Sequence, residues 1–178
     1  MTDDALSDGD PSWLAQPEPG WTPITLPHIV AYDTFLSGHP SGDRLRIRYF
    51  RRDSDGALMA KAWFGPGTQG PPGHAHGGST AALLDEIMGG AAWIAGHAVV
   101  AVELTARFKE MLPLETYCVV EASVARVRGR KVWTRAELHG RDGTLFADSD
   151  GLFIELDKDR FGSLVDLAAE MPWNASGQ

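Results

Sequence analysis

Cysteine is almost missing from the 178 residues: Cys118 stands alone. No internal disulfide can staple such a chain, and a reducing cytoplasm is its expected home. Long apolar runs are missing too. None approaches the ~18 residues a bilayer-crossing helix needs, and the opening MTDDALSDGDPSW carries neither the basic nor the apolar region of a secretory signal. Basic residues are in short supply, with 16 Lys and Arg against 24 Asp and Glu for a net charge of -8. That balance argues against nucleic acid as a partner. It leaves room for a small anionic ligand, which needs only a local basic patch, and RLRIRYFRR at 44–52 and RVRGRK at 126–131 are two.

What is present is enough for one domain with a proper core, since 43% of the residues are hydrophobic. Residues 1–20 are rich in Asp, Pro, Gly and Ser and suggest a disordered or strap-like lead-in. A short helix fits between 28 and 40, ended by Pro40. The segment 1–40 is thus set apart as an acidic strap, partly disordered, ahead of a single domain over 41–178. RLRIRYFRR alternates apolar with basic residues, DSDG makes a turn, and ALMAKAWF returns as a second strand. Four Gly and three Pro make a loop of 65–75. The apolar stretch 77–95 is long enough for five helical turns. Beyond Gly96, AVVAVELTARFKE, TYCVVEASVARV, KVWTRAELHG and TLFADSDGLFIEL read as four strands, joined by the short connections MLPLE, RGR and RDG. A final helix-like piece, RFGSLVDLAAE, follows.

Short connections favour antiparallel neighbours, and a helix apolar nearly all round must be wrapped by other structure. The expected architecture is α+β, a curved antiparallel sheet around one long central helix. Its exposed edges invite pairing with a second copy.

One stretch carries a family likeness. Gly70-Pro71-Pro72-Gly73-His74-Ala75-His76-Gly77-Gly78, with Asp85 nine residues after His76, resembles the GPPGxxHGG…D pattern of the hotdog-fold acyl-CoA thioesterases, in their phenylacetate-pathway and THEM-like branch. VELTARFKEMLPLE is similar to the strand that follows the helix there, and the likeness covers roughly 45–155. It implies a hydrolase of acyl-CoA thioesters that works as a homodimer or a dimer of dimers, with CoA entering only as part of the substrate and no cofactor or metal. It also implies that His76 and Gly77 lie on the oxyanion side and that Asp85 is the catalytic carboxylate. Gly78, Ala82, Gly89 and Ala101 then fall where substrate would pass. Some relatives have a Thr where this chain has Ala101, so a water or Thr105 would have to stand in.

Thioester hydrolysis needs a donor for the charge developing on oxygen and a group that attacks carbon or activates water. First-turn amides of a helix have no internal partner and carry the positive end of its dipole, and glycine at 77 lets a substrate approach the backbone. Asp85 lies eight residues further on, about 12 Å along a helix. Both groups must come within roughly 3 Å of the reacting atoms. One helix cannot do this; two helices from two copies can, giving a composite site between subunits. Asp85 either attacks to give an anhydride or deprotonates water.

Blander readings stand beside these. His76 either contacts the carbonyl or only orders the loop. Glu86 suits an interface salt bridge or solvent better than catalysis. A metal held by His74, His76 and Asp85 is disfavoured by the same helix distance. Gly89 and Gly90 mark either a close approach by a ligand or partner helix, or a kink. Cys118 is a small core residue, and Asp148 and Asp150 should face water. The basic hairpin Arg126, Arg128, Arg130 and Lys131 is either a solvated turn or a clamp for CoA phosphates. Two other functions fit the same fold: a non-catalytic acyl-CoA binding or sensing protein, and a hydratase or dehydratase of the same thioesters, whose base would be His74 or His76.

Overall fold

The computed structural model describes residues 11–26, 35–36, 42–157, 159, 161–162 and 166. Seven strands and one long helix follow in order: β1 Trp21–Ile24, β2 Leu45–Arg52, β3 Leu58–Phe64, α1 Gly77–Ile94, β4 Val99–Phe108, β5 Thr116–Arg128, β6 Lys131–Gly140 and β7 Leu145–Glu155. All pairings are antiparallel, in the sheet order β1-β2-β3-β5-β6-β7-β4. The concave face closes on α1. Along β6, Val132, Thr134, Ala136 and Leu138 alternate inward, and β7 does the same with Ala147, Ser149, Gly151 and Phe153. Opposite them lie Leu83, Leu84, Ile87, Met88 and Ala91 of α1, all buried in one continuous core. This is the expected wrapped helix, and its bounds fall within a residue of those expected.

The connection from β4 to β5 departs from expectation. MLPLE is no hairpin turn, because β4 pairs with β7 at the far edge and not with β5. The segment pairs instead with the loop ahead of α1: the Ala75 N–H donates to the Leu112 carbonyl at 2.8 Å, and the Leu114 N–H to the Gly73 carbonyl at 3.0 Å. Leu112 is buried there, so the burial of one leucine and two backbone hydrogen bonds outweigh a local turn.

β3 is buried on both faces. Its inner residues Leu58, Ala60, Ala62 and Phe64 meet the core, while its outer face carries Met59, Lys61 and Trp63. The cover for the outer face comes from the lead-in, whose residues 11–26 form a packed strap. Trp13 and Leu14 are buried against Trp63 and Tyr117. Lys61, 1% exposed, donates to the Gln16 carbonyl at 2.8 Å and to Glu18 Oε1 at 2.6 Å, with its ammonium 4.2 Å from the centre of the Trp13 ring. Residues 21–24 then pair with β2, so the sheet begins inside the 1–40 segment. Leu26 turns inward and is wholly buried.

Gly90 explains itself at this point. A Cβ there would stand 2.8 Å from Leu26 Cδ1 and from Leu58 Cδ2, so the close approach comes from this chain's own strap and not from a kink or a partner helix. Of the helix expected between 28 and 40, only Phe35 and Leu36 are described. The helix expected over 160–170 also falls mostly outside the described residues, although 161, 162 and 166 are helical. Cys118 is buried, and burial pushes its thiol up to about 12. No helix among the described residues is long and apolar enough to cross a membrane.

Candidate active site

The loop GPPGHAH is held before it becomes helix. The His76 N–H donates to the Thr68 carbonyl at 2.7 Å, and the Thr68 hydroxyl donates to the Gly65 carbonyl at 2.7 Å. His76 is the N-cap of α1, and its Nδ1 accepts the Gly78 N–H at 2.8 Å. An imidazole nitrogen that accepts is unprotonated, so the neutral ring carries its proton on Nε2. The His76 carbonyl accepts the Ser79 and Thr80 amides. Of the first-turn donors, that leaves the Gly77 N–H, which has no acceptor among the described residues. Phe108 is its nearest cover: a Cβ on Gly77 would lie 3.4 Å from the ring.

Asp85 sits two turns along α1, half-buried, and its Oδ1 is buried without a hydrogen-bond partner among the described residues. Burial first, and the neighbouring Glu86 carboxylate second, hold its carboxyl above the ordinary aspartate value. It opens into a cavity of about 230 Å³ lined by Glu86, Gly89, Trp93, Val99, Ala101 and Phe153. Glu86 is flanked from within by the buried Tyr49, whose phenol is driven well above its usual range by burial and by the Glu86 charge.

The expected site residues therefore separate into groups. Gly89 and Ala101 join Asp85 in its cavity. Ala82 instead packs against the core. Gly77 lines a different cavity, of about 260 Å³, with Phe108, Met111 and Leu112. His76 and Gly78 line a third.

Thr105 cannot stand in for a hydroxyl at 101. The register of β4 slips between Ala101 and Glu103, adding Val102 as an extra residue and reversing the alternation beyond it. Leu104 and Ala106 then pack inward. Thr105 pairs with the exposed Asp150 on the outer face, where Arg107 bridges Asp148 and Asp150 at 2.7 and 2.8 Å. Asp148, expected to face water, is thus paired, and Lys109 also reaches it at 2.7 Å.

The basic hairpin tip lies near the other end of α1. Lys131 pairs with Ile154, next to Glu155, which bonds His97 just past the helix. Over the length of Gly77–Ile94 that is about 26 Å from Gly77 of the same chain. Arg126 stacks on Trp133 at 3.9 Å and Arg130 donates to the Glu155 carbonyl at 2.7 Å, while Arg128 and Lys131 are exposed. His74 Nδ1 lies 2.9 Å from the Pro72 carbonyl, so it is engaged with its own loop.

Sequence reasoning missed Phe108 and Val102. Phe108 packs beside Gly77 from the end of β4, and no local signal marks that. Val102 is one of four exposed apolar residues, with Val100, Phe108 and Met111, on or just beyond β4. Their number on one strand is itself a signal.

Comparison with known proteins gives a consistent picture. A family model described as Thioesterase superfamily matches residues 72–147. The acyl-coenzyme A thioesterase THEM4 of Xenopus laevis is 35% identical over 149 residues, covering 74% of this chain and 67% of that protein. The acyl-coenzyme A thioesterase THEM5 of Homo sapiens is 36% identical over 96 residues, covering 52% of this chain but 39% of that protein. The chain therefore spans well under half the length of that relative. A solved thioesterase superfamily protein superposes with a TM-score of 0.59 at 30% identity, over 62% of this chain and 54% of the other.

Proposed function

The chain belongs to the thioesterase superfamily, and on that premise we propose that it hydrolyses an acyl-CoA thioester to free acid and CoA at a site shared by two copies. One observation carries this reading. A buried carboxylate oxygen and a helix-mouth amide, both without partners among the described residues, lie in one chain but open into separate cavities, about 12 Å apart along α1. Neither can serve the other in the same chain. A second copy laid against β4 brings its Asp85 to this chain's Gly77 and the reverse, giving two sites per pair.

β4 supplies the surface for that pairing. It ends the sheet, and it exposes Val100 and Val102 along its length. An antiparallel homodimer would also carry each basic hairpin tip from the C-terminal end of one helix to the mouth of the other. Arg128, Lys131 and their neighbours Arg126 and Arg130 would there meet the CoA phosphates. A dimer of dimers would keep the same unit.

In the reaction, the Gly77 N–H donates to the carbonyl oxygen as charge builds on it. A preorganised donor of this kind is worth about 3 kcal/mol of barrier. His76 orders the donor by capping the helix, its Nε2–H remaining free to face the carbonyl. Asp85 of the other copy attacks the carbonyl carbon or deprotonates the attacking water. The thiolate of CoA then leaves. After direct attack, a water hydrolyses the mixed anhydride to free acid and restores Asp85. After base catalysis, the proton taken from water passes to the thiolate. A reducing cytoplasm suits the single buried Cys118.

Thiol release from a panel of acyl-CoA thioesters tests the proposal. Asp85→Asn should lower kcat at least about a hundredfold on every active thioester, and unchanged turnover would remove the assignment. The variant should fold well. A carboxyl whose folded pKa is raised costs stability when ionised, so the substitution should help at neutral pH, with the gain fading as pH falls through the raised folded value and gone below the unfolded value near ~3.9. Binding without release is the second reading, favoured by Ala101 and the outward Thr105, which leave Asp85 without a neighbouring β4 hydroxyl. The same assay decides: affinity with no thiol produced points to a binding protein.

A further inference from the structure

The cavity that His76 and Gly78 line is larger than the one Gly77 lines, at about 480 Å³. That falls within the ~300–1,000 Å³ of small-molecule sites. Leu36, Leu45 and Thr68 form its buried part. The Thr68 hydroxyl is already satisfied by the Gly65 carbonyl, so the buried floor is apolar in effect, while Arg44, Gln69 and Ser79 give the cavity a polar side. Phe35 stands on the rim, 87% exposed. A lone exposed aromatic is ordinary. This one is fixed beside Leu36, which is buried in the main core, and it borders a cavity shared with two residues of the active-site loop.

The route of the N-terminal segment shows why it is placed there. It is clamped on the outer face at Lys61, pairs with β2 through Trp21–Ile24, and is seated against α1 by Leu26 at Gly90. Phe35 and Leu36 then appear at the opposite end of α1 from Gly90, beside its first turn. The same segment that covers the sheet thus furnishes a wall of the cavity.

We propose that this cavity holds the apolar acyl tail of the thioester, and that Phe35 with Leu36 determines how strongly longer tails are held. The proposal rests on the thioesterase reading for its ligand. Gly77 lines one cavity, and its chain neighbours His76 and Gly78 line the other. The one walled by Phe108 and Met111 leads toward β4 and the second copy, which suits the thiol arm. The other takes Phe35 and Leu36 of the N-terminal segment into its lining and suits the tail, because its floor buries methyl groups and its volume far exceeds what an acetyl group fills.

The test uses CoA thioethers, which cannot be hydrolysed, carrying acetyl-, hexanoyl-, decanoyl- and tetradecanoyl-length tails, titrated into the full chain by calorimetry. Affinity should rise with tail length. Phe35→Ala should weaken the two longer tails by about tenfold or more and the shortest by less than about twofold. Phe35→Leu should restore most of the loss. A variant that weakens all tails equally, or none, overturns the proposal. Thiol release from the matching thioesters, measured in parallel, separates the two levels. Tail-dependent binding without release removes the hydrolytic reading and leaves the cavity assigned; release with no tail dependence does the reverse.

Discussion

The two edges of the sheet are finished in opposite ways. At one, β1 is four residues long and carries Pro23, so little backbone is left to recruit another strand. The strap before it covers the neighbouring outer face through Trp13 and Lys61. At the other edge β4 runs for ten residues without proline, mostly exposed on both faces, with Val100 and Val102 in the open. The open edge is the one the proposed pairing uses. Gly77, beside Phe108 at the end of β4, and Asp85, with Ala101 near its start, both lie along it.

Breaking the open edge should have the largest effect. Val102→Lys would bury an unpaired ammonium in the proposed interface, at several kcal/mol. We expect association to weaken about a hundredfold, roughly 3 kcal/mol, with hydrolysis falling alongside and the monomer's thermal unfolding little changed. Sedimentation and turnover on the same samples check this; a variant that stays associated and active contradicts it.

Breaking the covered edge should do the converse. Lys61→Met strands the Gln16 carbonyl, and Glu18 loses its cation but is half-exposed and keeps much of its hydration. A loss of about 1–3 kcal/mol is expected by denaturant unfolding, with the association state unchanged. If Lys61→Met instead dissociates the protein, the two edges are not independent.

The smallest effect sharpens the site itself. In the proposed reaction Asp85 acts as its carboxylate, and its carboxyl is raised first by burial and second by Glu86. Activity is therefore lost as pH falls through that raised value. Glu86→Gln removes only the second cause, so the acid limb of kcat/KM should move to lower pH while its plateau holds. A limb that stays put or moves up would show that Glu86 does not act on Asp85 through its charge.

Much of this was legible before any coordinates. The helix could be bounded because a Gly- and Pro-rich loop gives way at once to an apolar run, and the spacing from Gly77 to Asp85 separates the two groups by geometry alone. What stayed hidden depended on distant contacts. Nothing local says that Leu112 will lie under the loop at Ala75, so β4 was expected beside β5. The extra residue at Val102 leaves no mark in an alternating strand, so Thr105 was expected to be able to face the site. Lys61 was the missed opportunity: a lysine centred in ALMAKAWF demands a cover with acceptors, and the lead-in was the segment available to supply it.

Complementation tests the shared site most directly. Gly77→Pro deletes the unpartnered N–H at a first helical position that accepts proline, and His76 before it is already extended at φ -68° and ψ 135°. Alone it should lose about 10²–10³ in kcat, and Asp85→Asn alone should be similarly inactive. Mixed in equal amounts and allowed to exchange, half the pairs pair unlike chains, each with one intact site of two, so about a quarter of native activity should return. Exchange demonstrated by mass with no activity regained would contradict a site built from two chains.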